Sequence, residues 1–175
     1  MSTRTLTLTA VLAAMCCLLG PVTLPIGPVP VSMMTALLMG MALILGAKHA
    51  CICCGVYLAL GLLGLPVFGG FTGGPGVLLG PSGGFLMGYL PLTAWAGFAC
   101  ARTADRRWQA MALITGTLLL YGAGSAWYAH LTGTSFVSAL AVCALPFLPG
   151  DALKIAVVIT GGNAVRARLQ RAGLL

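Results

Sequence analysis

The sequence predicts an all-α integral membrane protein with six transmembrane helices, both termini cytoplasmic, and a glycine-rich outer loop between helices 3 and 4. Three observations predict it. Of 175 residues, 59% are hydrophobic and only 6% charged, with a mean hydropathy of +1.05, whereas soluble domains carry about a quarter charged residues. The apolar residues fall in runs near the roughly 17 to 25 residues that a membrane-crossing helix needs. The Lys and Arg residues gather between alternate runs, as they do in cytoplasmic loops.

The first run, Leu6–Val22, follows a single Arg and precedes neither a cleavage site nor a polar mature chain, so it reads as a retained span, Leu6–Thr23. Val31–Gly46, Ala50–Phe68, Gly84–Ala101, Ala110–Leu131 and Gly150–Val165 supply the other five. "SFVSALAVCALPF", Ser135–Phe147, is apolar but too short to cross and is closed by Pro146 and Pro149; it reads as re-entrant or interfacial. Residues 1–175 thus form a single transmembrane domain in this reading.

Charge sets the count and the orientation. Arg4, Lys48, the group Arg102, Arg106 and Arg107, and the group Arg166, Arg168 and Arg171 all fall on one side if there are six spans. A seventh crossing at Ser135–Phe147 would put the last three outside. The net charge of +7 is then topology and contact with anionic lipid, and calls for no nucleic acid. The opposite loops, around Gly20–Pro30, Phe68–Gly83 and Thr132–Pro149, contain no Lys or Arg and are rich in Gly and Pro. Seven cysteines, Cys16, Cys17, Cys51, Cys53, Cys54, Cys100 and Cys143, lie almost wholly inside apolar runs, unlike a secreted disulfide framework.

Lys154 alone breaks the charge pattern. It enters from outside in the first turn of the sixth helix, where the positive-inside bias and the helix dipole both disfavour a cation. Asp151, one of only two acids with Asp105, stands three residues before it. One account is local: Asp151 caps the helix and neutralises Lys154, which snorkels. The other is a ligand pocket, with Asp151 accepting from ligand N–H groups and Lys154 donating to a carbonyl or carboxylate. The two can coexist.

Other patterns carry less chemistry. "GLPVFGGFTGGPGVLLGPSGGFLMG", Gly64–Gly88, can fold back over the outer mouth and present backbone groups, and its Gly76, Gly80, Gly84 and Gly88 suit close helix packing. No Lys-Ser or Lys-Thr follows these glycines, so there is no phosphate loop and no ATP-driven step within the chain. "HACICC", His49–Cys54, holds a C-x-x-C beside a His, but without a second ligand cluster it reads as packing, with no metal. His130 and the span serines lack a G-x-S-x-G or a spaced acid, so no catalytic residue is assigned.

"LPIGPVPVSMMTALLMGMALILG" (Leu24–Gly46), "YLALGLLGLPVFGGFTGGPGVLLGPSGGFLMGY" (Tyr57–Tyr89) and "LPFLPGDALK" (Leu145–Lys154) resemble, in order and spacing, the BioY family, the biotin-specific S components of energy-coupling-factor vitamin transporters. The resemblance covers nearly the whole chain. It implies a multi-pass plasma-membrane protein that captures biotin and hands it to a transmembrane coupling subunit and two ATPases, with biotin as ligand and no cofactor. It implies that Asp151 and Lys154 bind the ureido group, with Phe68, Phe71 and Tyr89 as apolar walls. Family members carry an extra polar residue after "PVF" where this chain reads "GGFTGG", so Thr72 or the backbone supplies that contact. Ala10 and Ala14 match the small residues that face the coupling subunit. A channel or secondary carrier that moves a small anionic solute alone is the competing reading. It expects broken helices paired between two halves, which the sequence does not display. An enzyme ranks last.

Overall fold

The computed structural model describes residues 3–24 and 31–173; residues 25–30, part of the expected loop around Gly20–Pro30, lie outside the described residues. Within the described residues the chain is mostly helical, with one short antiparallel ladder and connecting turns. The elements in order are α1 (Thr3–Leu19), β1 (Thr23–Leu24), β2 (Val31–Ser32), α2 (Met34–Leu62), α3 (Pro75–Leu79), α4 (Gly83–Ala101), α5 (Arg106–Thr132), α6 (Phe136–Cys143), α7 (Leu148–Val157) and α8 (Asn163–Arg171). The ladder pairs Thr23 with Ser32 and Leu24 with Val31. A π-helical turn, Val158–Gly162, joins α7 to α8.

By length and hydropathy Met34–Leu62, Gly83–Ala101 and Arg106–Thr132 can each cross a membrane, and the pair Phe136–Cys143 and Leu148–Arg171, bent by 54°, makes a fourth. The longest of these is not one rod. Gly46 has φ 75 and ψ 174, a left-handed conformation that a side chain would strain and glycine does not. In a continuous helix Ser32 and Tyr57 would stand about 37 Å apart at 1.5 Å per residue, yet both line one cavity. The chain therefore turns back at Gly46, and α2 is a hairpin whose arms match the second and third sequence spans. A side chain on Gly97 would meet the Ala47 backbone at 2.4 Å, so α4 packs directly against this turn.

α4 and α5 cover the segments expected as the fourth and fifth spans, starting within a few residues of the expected positions. The carboxylate of Asp105 accepts from Arg107 N–H at 2.9 Å and caps α5, and Gly133 ends it with φ 68. The glycine series divides: side chains on Gly84 and Gly88 would strike Trp127 and Leu120 of α5, whereas Gly76 has open space around it and Gly80 meets only its own turn. Only the half lying in α4 serves tight helix contact. Within Ser135–Phe147 lies the short α6, capped by the Ser135 hydroxyl, which accepts from Ser138 N–H at 3.2 Å.

The core joins Leu38, Met39 and Leu43 from the first arm of α2 to Cys53, Cys54 and Tyr57 from the second, with Leu92 of α4 and Leu113 of α5. Cys53 donates to the Thr9 carbonyl at 3.2 Å, so "HACICC" is packed into the α1 contact. Leu18, Leu63, Val137 and Leu153 face outward, the arrangement a lipid solvent favours.

Candidate ligand-binding site

Asp151 lies one turn into α7, 4% exposed. The expected cap does not form: Phe147 is the N-cap residue without a side-chain bond, and Pro149 occupies the first turn, where its missing N–H costs nothing. The carboxylate is left for tertiary partners. Oδ1 accepts from Lys154 Nζ at 2.7 Å and from the Thr35 hydroxyl at 3.4 Å, and Oδ2 accepts from the Tyr121 hydroxyl. Lys154 Nζ also donates to the Ser32 carbonyl at 2.8 Å and to Thr35 Oγ1 at 3.2 Å.

Three acceptors thus use the three protons of Lys154, while Asp151 receives three donors against about four lone-pair positions. A bare charge at this depth would be costly, and each ion here is matched by the other and by fixed dipoles. The side chain of Lys154 is 11% exposed, so it turns inward to the start of α2 instead of snorkelling. Among the described residues this is the only ion pair.

Beside this cluster a cavity of about 50 Å³ is lined by Gly20, Ser32, Tyr57, Phe68, Phe85 and Tyr89, among others. Ser32 belongs to both, since it lines the cavity while its carbonyl accepts from Lys154. Phe68 is fully buried. Its ring meets Tyr57 edge-on with centroids 5.5 Å apart and sits where a side chain on Gly61 would be, 2.1 Å from the ring. Glycine at position 61 is what lets the loop after α2 fold inward. A second, apolar cavity of about 190 Å³ lies between α5 and α7, with Tyr121, Asp151 and Ile155 in its wall.

The residues expected to form the site are thus only partly assembled. Asp151, Lys154, Phe68 and Tyr89 converge. Phe71 is 70% exposed with φ 58 and Thr72 donates to the Gly69 carbonyl at 2.9 Å; neither lines the cavity. They shape the tight turn in which Phe68 and Thr72 pair antiparallel. Sequence reasoning missed Ser32, Thr35, Tyr57 and Tyr121. A signal existed for the first two, a hydroxyl pair three residues apart heading an apolar run, but nothing local marks the tyrosines. Ser125, one turn along α5 from Tyr121, has a buried hydroxyl without a partner among the described residues. Ala10 and Ala14 are exposed on α1, beside the stripe of buried Thr9, Ala13 and Cys16.

Comparison with known proteins agrees with this architecture. A biotin transporter BioY from Rhizobium etli is 33% identical, the match covering 94% of each chain. Biotin transporter BioY2 from Lactococcus lactis subsp. cremoris is 35% identical over 93% of this chain and 90% of its own. The crystal structure of the S-component for biotin from an ECF-type ABC transporter superposes with a TM-score of 0.88 at 28% identity, covering 95% of both chains. The sequence model of the BioY family matches residues 1–171, and on that match and these relatives the chain belongs to the BioY family.

Proposed function

We propose that this protein is a membrane-embedded, high-affinity biotin-binding subunit for vitamin uptake, which delivers biotin to an ATP-driven coupling module. The observation that carries the reading is the buried Asp151–Lys154 cluster beside an aromatic cavity, in a chain whose relatives are biotin transporters. Biotin's ureido ring presents two N–H donors and one carbonyl on a small apolar bicycle. Asp151 has a lone-pair position to spare for a ureido N–H. Lys154 has no spare proton, so it reaches the ureido oxygen only by releasing Ser32 or Thr35. Phe68, Tyr57 and Tyr89 offer apolar faces to the ring. The cavity is smaller than the roughly 300–1,000 Å³ of ligand sites, so its outer wall gives way as ligand enters.

In this reading the reversal at Gly46 divides α2 into two crossings, which with α1, α4, α5 and the α7–α8 segment count six, and the guanidinium of Arg4 donates to the Gly173 carbonyl at 3.1 Å, which brings both chain ends together. Both features support six spans with cytoplasmic termini, in one domain of the plasma membrane. The exposed Ala10 and Ala14 leave α1 free to pack on a coupling subunit bearing two ATPases. Binding uses no cofactor or metal in this reading, and no chemical turnover.

Calorimetric titration of the purified protein with biotin tests it, alongside Asp151→Asn and Lys154→Met variants checked for folding. Nanomolar binding lost in both variants is expected. Binding unaffected by either would remove the cluster from the site, and biotin transport by the protein alone in liposomes would replace the subunit with a carrier.

A further inference from the structure

Two cavities meet at the opposite end of α4 and α5, and they share Arg102 and Thr103. One, of about 350 Å³, is polar, lined by Arg102, Gln109, Asn163, Arg166 and Gln170 among others. The other, of about 470 Å³, is aromatic, walled by Trp95, Phe98, Trp108 and Met111. Both volumes lie within the roughly 300–1,000 Å³ typical of ligand sites.

The polar groups that could satisfy one another have done so. Gln109 donates to the Thr103 carbonyl at 3.1 Å and accepts from Asn163 at 2.7 Å. The Trp95 indole N–H donates to Ala112 O and Thr115 Oγ1, at 3.1 and 2.9 Å, so its ring is fixed and offers a ligand only apolar surface. Arg102 stacks on Phe98, 3.8 Å from the ring centre, at the seam between the cavities. Neither Arg102 nor Arg166 has a carboxylate among the described residues. The one acid at this end, Asp105, accepts from the Arg107 backbone.

Unmatched guanidinium groups in a polar cavity call for an anion. The adjoining aromatic groove is exposed, with Trp108 60% and Met111 55% accessible, and calls for hydrocarbon. A soluble anion leaves the groove bare and a zwitterionic lipid leaves net positive charge. We propose that this end binds one anionic phospholipid, its phosphate beside Arg102 and Arg166 and an acyl chain along Trp95, Phe98 and Met111. Basic pockets between membrane helices hold acidic headgroups in this way, and guanidinium matches phosphate in a bidentate fork.

Native mass spectrometry of the full-length, delipidated protein tests the site, using phosphatidylglycerol and phosphatidylcholine of matched chains. At about fivefold per arginine, phosphatidylglycerol should be retained at least about tenfold better, and R102Q/R166Q should bring the two within about twofold. R168Q/R171Q removes the same charge outside both cavities and should keep the preference. Met111→Trp fills the groove with both arginines intact and should lower retention of phosphatidylglycerol, a readout that survives if the arginine variant misfolds. Equal retention of the two lipids by the unaltered protein, equal losses in the two arginine pairs, or displacement of phosphatidylglycerol by inorganic phosphate would each overturn the proposal.

Discussion

The two ends of the bundle meet charge differently. At one end, Asp151 and Lys154 are buried and bound to each other, to Thr35, to Tyr121 and to the Ser32 carbonyl. At the other end, Arg102, Arg106 and Arg107 are exposed, and the single acid accepts from a helix terminus. A charge removed from water must be matched by groups fixed in the fold, because the low dielectric offers nothing else. A charge left at the interface is matched by headgroups and water, which rearrange freely. The same kind of substitution should therefore have unequal effects at the two ends.

The largest effect is expected from Asp151→Ala. It leaves the Lys154 ammonium buried without its counter-ion and should cost about 3–5 kcal/mol in thermal unfolding of the detergent-solubilised protein. Arg107→Gln at the other end should stay within about 0.5 kcal/mol. Similar losses for both would break the contrast. Tyr121→Phe sharpens it, since one donor to a buried carboxylate is lost while the ring remains. A cost of about 1–3 kcal/mol follows, with weaker biotin binding by calorimetry. No change in either would mean that Asp151 repairs its shell from Thr35 and solvent. A smaller effect than that of Tyr121→Phe is expected from Asp105→Ala, where a lost helix cap costs about 1 kcal/mol and the distant biotin affinity should stay constant. A change in affinity would show that the two ends are coupled.

Much of the architecture was legible because hydropathy is local. α4 matches its expected span at Ala101 and within one residue at its start, and Gly46, the expected end of the second span, is where the hairpin turns. The shortness of Ser135–Phe147 was also plain, since two prolines bound it. Side-chain direction was less accessible. Phe68 and Phe71 are alike in the sequence, both aromatic and both beside glycine, yet one is fully buried and the other 70% exposed. The turn between them, with Gly70 and Phe71 at positive φ, separates the two rings, and Gly61 receives only the first.

The sequence by itself determined the solvent of the fold, the apolar segments and the pairing of Asp151 with Lys154, because hydrophobic run length and i, i+3 spacing are properties of neighbours along the chain. Only the tertiary structure decided what surrounds that pair. Thr35 lies 116 residues from Asp151 and Tyr121 lies 30, on helices brought together by the reversal at Gly46 and by packing across α4. A carboxylate takes donors from whatever the bundle places within reach, and that placement is set by contacts among all the helices.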